Sequence, residues 1–249
     1  MPQADGPLLP LVYFHGQPGG PGEWAANAPD RLRDAAWLVD RNTPLTFDDM
    51  AADLAARFPE GMRLVGFSAG AFAALQVARR LGPLAAHLHL VSPAAPLQLG
   101  QFLPDMAGGP IFRMAMERPR LFQLVVQAER WLARIAPGFL LGRLFATAQG
   151  GDRTLARAPL FRSGMAQVLR AGLGRDPRGF ESEVLAYVRD WRADLAGIAA
   201  PVTIWQGDQD NWTPPAMGQA LHAALPGSEL VMLAGCSHYS ALRAALKRI

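Results

Sequence analysis

The stretch RLVGFSAGAFAAL, residues 63–75, places a serine between two glycines in the pattern Gly-x-Ser-x-Gly. Apolar residues before the serine predict a strand over Met62–Phe67, and the alanine-rich residues after it predict a helix over Ala69–Leu81. So abrupt a turn lifts the Ser68 hydroxyl above the sheet edge, strains its backbone and favours glycine two residues before and after it. We therefore predict that Ser68 is a nucleophile. The alternative is a serine that only caps the helix, which would not need the glycines.

Short strand-like runs alternate with helical segments on both sides of this stretch. Further strands are predicted at residues 8–14, 37–40, 86–91, 202–206 and Glu229–Leu233. Predicted helices occupy residues 23–34, 47–58, 215–225 and the end of the chain from Tyr239. Thr46 and Asp49 are spaced as a capping box in front of the second of these helices. This alternation is typical of an α/β fold with a mostly parallel sheet.

Residues 93–199 interrupt the alternation, because they contain no convincing strand. Within residues 121–135, apolar side chains such as Leu121, Leu124, Trp131 and Ile135 recur at helical spacing. Prolines and glycines divide the region into short segments. We therefore predict several short helices inserted between two strands of the sheet.

A loop rich in glycine and proline follows the first predicted strand and has the sequence HGQPGG, residues 15–20. A loop at that point can direct a backbone N–H toward a developing oxyanion. We predict that the Gln17 N–H and the Ala69 N–H form an oxyanion hole, with the start of a helix adding positive potential at Ala69. The alternative is an ordinary turn. The other members of this predicted oxyanion loop are His15, Gly16, Pro18 and Gly19.

Candidate acid and base residues follow the last two predicted strands. Asp208 and Asp210 lie in the segment QGDQD after strand 202–206, where active sites of parallel sheets are found. We favour Asp210 as the group that orients a histidine and keep Asp208 as the reserve, since either could simply form a turn. His238, after strand Glu229–Leu233, is the candidate general base for Ser68.

The remaining histidines indicate structural roles rather than a metal site. His15 is expected to shape its loop, His87 and His89 to share one face of a strand, and His222 to lie in a helix. No two histidines at ligand spacing share a carboxylate, so we predict no metal site. No phosphate-binding glycine motif is present, and no cofactor is expected.

The composition excludes several classes of protein. The 249 residues contain 50% hydrophobic side chains and one cysteine, Cys236, which rules out a disulfide framework within the chain. The sequence pI is about 9.6 because 23 of the 24 basic residues are arginine, but the net charge is only +3, which is weak for a nucleic-acid partner. No secretory signal or membrane-spanning stretch is recognised, so the expected location is the cytoplasm.

These motifs together resemble the α/β-hydrolase superfamily, in which the catalytic residues occur in the order Ser, Asp, His. The resemblance covers residues 8–93 and 200–249, and the loop at His15 is similar to the HGxPG oxyanion loop of many members. It implies a core of residues 1–94 and 200–249 with a helical cap of residues 95–199 that roofs the site. Only seven residues precede Leu8, so the first two strands of the family are expected to be missing, which leaves six parallel strands.

The resemblance implies a serine hydrolase acting on a carboxylic ester or thioester, with a lactone or a C–C diketone as variants. Epoxide hydrolases and haloalkane dehalogenases carry aspartate where this chain has Ser68, and hydroxynitrile lyase-like members carry lysine where it has Tyr239. The alternatives are an acyltransferase or cofactor-free lyase using the same three residues, and a non-catalytic ligand-binding member.

The charge is unevenly divided between these two parts. Residues 95–198 contain 14 arginines and 9 acidic residues, a net charge of +5, whereas the rest of the chain has a net charge of −2. An arginine-rich cap would suit a carboxylated or carrier-linked acyl group, and an aminopeptidase-like member would need acidic residues there. The alternative is a solvated helix surface. We expect a small-molecule acyl substrate and neither nucleic acid nor membrane as a partner, with lipid contact by the cap as a further alternative.

Overall fold

The computed structural model describes residues 9–249, and its centre is one six-stranded sheet in the order β2-β1-β3-β4-β5-β6. Every neighbouring pair of strands is parallel. The strands are β1 (Leu11–Phe14), β2 (Ala36–Val39), β3 (Met62–Phe67), β4 (Ala85–Val91), β5 (Val202–Gly207) and β6 (Glu229–Leu233). The predicted six-stranded parallel α/β sheet is therefore confirmed. Leu8, at the start of the first predicted strand, lies outside the described residues.

Eleven α-helices accompany the sheet in residues 9–249. Those that alternate with strands are α1 (Gly22–Asn27), α2 (Phe47–Arg57), α3 (Ala69–Leu81), α10 (Pro215–Ala224) and α11 (His238–Leu246). The six between β4 and β5 are α4 (Gly109–Glu117), α5 (Pro119–Ile135), α6 (Pro137–Leu144), α7 (Asp152–Leu155), α8 (Pro159–Ala171) and α9 (Arg178–Tyr187). We call α4–α9 and their connections, residues 95–199, the inserted helices. The inserted helices contain no strand, as the sequence predicts.

The central strands are apolar because helices cover both faces of the sheet. All four residues of β1 are buried, as are five of the six residues of β3. Helix α3 packs against β3, β4 and β1. Its first ten residues are all buried, which explains why alanine and glycine fill this segment. The Ser68 turn is therefore anchored on both sides by buried structure.

The predicted helix over residues 23–34 is wrong in its second half. Helix α1 ends at Asn27, and a separate 3-10 turn occupies Asp30–Leu32. Pro29 separates them, because proline lacks a backbone N–H and disfavours helical backbone in the residue before it. Ala28 is accordingly extended, with ψ of 140°.

The capping box before α2 is confirmed. The Thr46 Oγ1 accepts a hydrogen bond from the Asp49 N–H at 3.0 Å, and the Asp49 carboxylate accepts one from the Thr46 N–H at 3.2 Å. This satisfies two backbone donors that the start of a helix would otherwise leave free.

The apolar stripe of α5 faces away from the core. Helical spacing predicts the helix correctly, but Leu124, Trp131 and Ile135 are 68%, 63% and 73% exposed. The buried residues of α5 are Phe122, Val126 and Ala133 on the opposite side. No helix in residues 9–249 has the length and apolar character needed to cross a membrane.

Candidate active site

The Ser68 turn has the strained geometry that the glycine pattern predicts. Ser68 lies between β3 and α3 with φ of 56° and ψ of −126°, a conformation that side-chain-bearing residues rarely adopt. Its backbone is held by β4 and the loop after it: the Ser68 N–H donates to the Val91 carbonyl at 3.0 Å, and the Ala94 N–H donates to the Ser68 carbonyl at 3.1 Å. The surrounding structure thus supports a costly backbone conformation at a single serine.

The two glycines of the motif are needed for different reasons. A Cβ at Gly66 would lie 2.7 Å from the Ala71 Cα and 2.8 Å from the Gly70 carbonyl oxygen, so it would block the start of α3. A Cβ at Gly70 would collide with the carbonyl oxygen of Phe14 at the end of β1. The crowding at Gly66 therefore arises within the turn, whereas the crowding at Gly70 comes from the neighbouring strand.

Asp210 and His238 form a buried pair at the carboxyl ends of β5 and β6. The Nδ1 of His238 lies 2.8 Å from the Oδ2 of Asp210. The other carboxylate oxygen of Asp210 accepts hydrogen bonds from the Trp212 and Thr213 N–H groups at 2.8 and 3.0 Å. The Thr213 hydroxyl lies 3.0 Å from the Ser92 carbonyl, 3.1 Å from Asp210 Oδ2 and 3.3 Å from His238 Nδ1, so it packs against both members of the pair.

Asp208, the reserve acid, does not reach the histidine. Its side chain is exposed, and its carboxylate accepts a hydrogen bond from the Gly235 N–H at 2.8 Å. Asp208 therefore ties the loop after β5 to the loop after β6. The structure brings Asp210, and not Asp208, to His238.

The His238 imidazole is held between aromatic rings and acidic side chains. The Trp212 ring stacks on it at 15° with centroids 5.6 Å apart, and the Phe67 ring lies 4.6 Å from it. Burial disfavours the charged imidazole, but attraction and a hydrogen bond from Asp210, with attraction from Asp152 and Glu23, raise the pKa of His238 above its ordinary value. An imidazole with a raised pKa is a stronger base once it is neutral.

Asp152, from the inserted helices, supports the start of the helix that carries His238. Its buried carboxylate accepts hydrogen bonds from the Tyr239 N–H at 3.0 Å, the Ser240 N–H at 2.7 Å and the Ser240 hydroxyl at 2.6 Å. A carboxylate at this position satisfies free backbone donors and complements the positive end of α11. Asp152 is thus a positioning residue for His238.

Ser68 and His238 line the same pocket, together with Gln17 and Trp212. In this structure no hydrogen bond joins the Ser68 hydroxyl to the imidazole. Catalytic hydrogen bonds are often long without substrate and tighten when substrate binds, so this arrangement is compatible with proton transfer.

The Gln17 and Ala69 N–H groups are free to bind an anion. Neither donates a hydrogen bond to any other residue in the described part of the chain. Gln17, Ala69 and Ser68 all line a second pocket, which adjoins the one containing His238. Two free backbone donors beside a serine hydroxyl are an arrangement that could bind an oxyanion.

Glu23 holds the loop that carries Gln17. Its Oε1 accepts hydrogen bonds from the Gly16 N–H at 2.8 Å and the Tyr13 hydroxyl at 2.6 Å, and its Oε2 lies 3.4 Å from the Tyr239 hydroxyl. Burial raises the pKa of Glu23, although the hydrogen bonds from Tyr13 and Gly16 oppose this. Glu23 therefore connects the loop after β1 with the start of α11.

A buried ion pair fixes the same loop from the other side. The fully buried Arg41 guanidinium donates hydrogen bonds to the His15 carbonyl and to the Glu183 carboxylate of α9. The other oxygen of Glu183 accepts from the Gln17 side-chain amide at 3.3 Å. Burial raises the pKa of Glu183, and attraction to Arg41 counteracts this shift. The inserted helices thus contribute a carboxylate that braces the loop at residues 15–19.

The other histidines have structural surroundings. The His15 Nδ1 lies 2.7 Å from the Gly16 carbonyl, and burial with the nearby Arg41 charge lowers the pKa of His15 well below its ordinary value. His87 and His89 stack with centroids 4.4 Å apart. His222 lies in α10, with its Nδ1 2.9 Å from the Ser228 hydroxyl. Through the Gly16 carbonyl and the Arg41 N–H, His15 therefore shapes its loop.

A family model described as the alpha/beta hydrolase family matches residues 11–247. This chain belongs to the alpha/beta hydrolase family.

Solved structures share the fold of this hydrolase. A bromoperoxidase from Bacillus anthracis superposes with a TM-score of 0.66 at 20% identity, covering 97% of this chain and 90% of that one. A thermophilic esterase from Thermogutta terrifontis, bound to malate, gives 0.66 at 20% identity over 96% and 86% of the two chains. The enol-lactonase from Burkholderia xenovorans LB400 gives 0.66 at 18% identity over 99% and 91%. A search of curated proteins found no match.

The inserted helices of this hydrolase supply most of the apolar wall around Ser68. The pocket with His238 has a volume of about 10 Å³, and the adjoining pocket has about 90 Å³. The wall residues from the insertion are Met106, Ile111, Phe112, Leu141, Leu144, Phe145, Met165, Leu169 and Phe180. No arginine lines either of these two pockets. The arginines of the cap, which would suit a carboxylated or carrier-linked acyl group, therefore do not form these walls.

Several residues of the site were missed by sequence reasoning. Trp212 and Thr213 follow Asp210 directly, and an Asp whose side chain accepts N–H groups two and three residues later is a recognisable local turn. Glu23, Arg41 and Glu183 had no such signal, because their partners lie on distant elements. A buried charged residue looks the same as a solvated one in a single sequence.

Proposed function

We propose that this hydrolase cleaves a carboxylic ester or thioester through a serine, histidine and aspartate triad. The observation that carries the proposal is the strained Ser68, which lines one pocket with a His238 whose Nδ1 is 2.8 Å from Asp210. In this proposal, Ser68 is the nucleophile, His238 the base and Asp210 the orienting carboxylate, and all three follow strands at one edge of the sheet. Lactones and C–C diketones are variants of the same acyl chemistry.

The reaction begins when the Ser68 Oγ attacks the acyl carbon and the free ring nitrogen of His238 takes the hydroxyl proton. The carbonyl π electrons move to oxygen, and the Gln17 and Ala69 N–H groups bind the resulting oxyanion. The bond to the leaving alcohol or thiol then breaks, and that group leaves with the proton from His238. Asp210 holds the imidazole in the required tautomer and stabilises its charged form.

The acyl-enzyme is hydrolysed by the same groups. His238 removes a proton from a water molecule, the hydroxide oxygen bonds to the acyl carbon, and the oxyanion forms again between Gln17 and Ala69. Breaking the bond to Ser68 releases the carboxylic acid and returns the proton to the Ser68 oxygen. We propose that the inserted helices act as a cap that shields this intermediate from bulk water.

The test compares Ser68→Ala with the wild-type chain. We expect the variant to lose both labelling by a fluorophosphonate and hydrolysis of p-nitrophenyl butyrate. A matched control is Ser163→Ala, which removes an exposed serine of α8 and should retain both. If Ser68→Ala keeps either activity, Ser68 is not the nucleophile and the proposal is wrong.

Substrate classes can be ranked in the same assay. Carboxylic esters and lactones, which occur in the names of two structural neighbours, are the first to screen. Adding an alcohol or amine acceptor distinguishes hydrolysis from acyl transfer, because transfer gives a new ester or amide instead of the free acid. We expect the free acid as the main product.

A further inference from the structure

The larger pocket beside Ser68 is mostly apolar and has one carboxylate in its lining. It contains Gln17, Ser68 and Ala69 at one side and aromatic or aliphatic side chains such as Phe112 and Phe180 around it. Glu129 of α5 is the only titratable side chain in its lining. Apolar pockets with a few placed polar groups use those groups to select and orient ligands.

Glu129 is partly buried, and its carboxylate has no hydrogen-bond partner in the described residues. No described N–H or O–H donates to its carboxylate, and the nearest influence of opposite sign is the exposed Arg143. Burial raises the pKa of Glu129, and attraction to Arg143 opposes the shift. The buried carboxylates Asp152, Glu23 and Glu183, in contrast, each accept several hydrogen bonds. A partly buried carboxylate in an apolar lining can accept a hydrogen bond from a ligand that supplies a donor.

The position of His238 decides which part of the substrate meets Glu129. The leaving group must receive a proton from His238, so it lies on the side of Ser68 that faces the imidazole, and the imidazole lines only the smaller of the two pockets. The acyl chain then extends into the larger pocket, whose lining includes Glu129 but not His238. Glu129 therefore faces the acyl chain.

We propose that Glu129 is a specificity-determining residue that binds a protonated amino group on the acyl part of the substrate. The inference rests on the proposed acyl-enzyme chemistry at Ser68 and names the substrate class for it. An ammonium group forms a charge-assisted hydrogen bond with a carboxylate, which is stronger than a bond from a neutral donor. The apolar walls match the methylene groups between the carbonyl and the amine.

The arginines of the inserted helices do not offer a competing site in this pocket. None of the 14 arginines in residues 95–198 is buried, and none lines the larger pocket. An acyl chain ending in a carboxylate would instead meet Glu129 with like charge. The pocket thus selects against the anionic acyl group that the net charge of the region suggests.

The experiment uses ethyl esters of equal length and different end groups. Ethyl 6-aminohexanoate and ethyl heptanoate differ only in ending with an ammonium or a methyl group, and monoethyl adipate supplies an anionic end. We expect wild-type kcat/KM to be highest for the amino ester and lowest for the anionic one. Glu129→Gln should lower kcat/KM for the amino ester by about ten-fold or more, because a hydrogen bond between charged partners is lost. The ratio of kcat/KM for the amino ester to kcat/KM for the heptanoate ester should therefore fall in Glu129→Gln.

Two controls separate this effect from a change in fold or net charge. Glu117→Gln removes an exposed carboxylate of α4 and should leave the preference among the esters unchanged. Glu129→Asp keeps the charge and should retain part of the preference for the amino ester. If Glu129→Gln changes all three esters in parallel, or if wild type prefers the heptanoate ester, the proposal is overturned.

An ester that ends in a neutral hydroxyl group tests whether the positive charge of the ammonium group is needed. Ethyl 6-hydroxyhexanoate should be a poorer substrate than the amino ester; if it is preferred, the ammonium assignment is wrong.

A binding measurement does not depend on turnover: Ser68→Ala should bind 6-aminohexanoate more tightly than heptanoate in calorimetry, and adding Glu129→Gln should remove the difference. If wild type hydrolyses no ester and this binding preference is still present, the acyl-enzyme proposal fails alone. If esters are hydrolysed without the preference, only the role of Glu129 fails.

Discussion

The strand ends of the sheet and the inserted helices contribute to the site in different ways. Ser68, Asp210 and His238 each follow a strand within a few residues, so the parallel sheet itself brings them to one edge. The inserted helices supply no member of this group. They contribute the apolar wall and three carboxylates, Asp152, Glu183 and Glu129, that reach inward. In the proposed mechanism, the sheet positions the reacting atoms, and the inserted helices support the loops and select the acyl group.

Charge in the inserted helices is also arranged differently from what their composition suggests. The region has a net charge of +5, but its arginines lie at the surface while Asp152 and Glu183 are buried. The inner surface is therefore acidic although the region as a whole is basic. The net charge of a region is set mostly by its solvent-exposed side chains. The chemistry of a pocket depends instead on the few side chains that point into the interior.

The largest effect is expected at the two aspartates that follow β5, because one of them contacts His238 and the other does not. Asp210→Asn keeps the shape of the side chain but removes the charge that stabilises the His238 imidazolium. We expect a fall in kcat of about 10⁴-fold, the size seen when this carboxylate is replaced in serine proteases. Asp208→Asn is the matched control and should change kcat little, since its contact is with the Gly235 N–H. Equal losses in steady-state hydrolysis of p-nitrophenyl butyrate would contradict the assignment of Asp210.

Sequence reasoning was most successful where the decisive contacts are local. The strand and helix on either side of Ser68 have the predicted limits, Met62–Phe67 and Ala69–Leu81. The apolar residues that form the strand and the glycines that allow the turn all lie within one short stretch of sequence. The end of α1 at Asn27 was missed even though Pro29 gives a local signal for it. The sequence therefore contained the signal for this helix end, but the predicted helix was extended past Pro29.

Contacts between distant elements could not be predicted in this way. Asp152 meets Tyr239 and Ser240 across 87 and 88 positions, and Glu183 meets Arg41 across 142. Nothing in the periodicity of α7 or α9 distinguishes these carboxylates from solvated ones. Their role depends on how the inserted helices dock on the sheet, which tertiary packing decides.

A second prediction concerns the brace from α9. Glu183→Gln leaves the buried Arg41 cation without a counter-charge, and we expect the free energy of unfolding to fall by about 3–5 kcal/mol. Replacing both partners, Arg41→Met with Glu183→Leu, should cost less than the single change because no charge is left buried. Urea denaturation followed by circular dichroism measures both. A double variant less stable than Glu183→Gln would show that the ion pair itself stabilises the docking of the inserted helices.

A third prediction concerns the support of α11. Asp152→Asn replaces an acceptor by an amide whose NH₂ group must face one of the N–H groups of Tyr239 or Ser240. We expect a loss of about 2–3 kcal/mol in the free energy of unfolding, the range for a disrupted buried hydrogen bond to a charged group. Asp105→Asn, at an exposed position of the same region, should be neutral. Unchanged stability in Asp152→Asn would mean that α11 is held by the sheet alone.

The smallest expected effect is on the pKa of His238. Both Asp210, after β5, and Asp152, from the inserted helices, act on this pKa, so it compares the sheet with the inserted helices. This pKa is raised in the folded chain, so the imidazole stays charged to higher pH than a free histidine, and kcat/KM should rise with pH along a limb centred above about 6.5. The charged form also stabilises the fold at low pH, and this contribution is lost as pH rises through the raised pKa.

Variants separate the sources of that shift. NMR titration of the His238 ring protons should show the largest downward shift of the pKa in Asp210→Asn, which removes the hydrogen-bonded charge from the loop after β5. Asp152→Asn should give a smaller downward shift, because the inserted helices act on the imidazole only through a more distant charge. Asp208→Asn should give none. An equal shift in Asp152→Asn and Asp210→Asn would mean that the inserted helices affect the pKa of His238 as strongly as the sheet loops do. The contrast drawn between the sheet and the inserted helices would then be wrong.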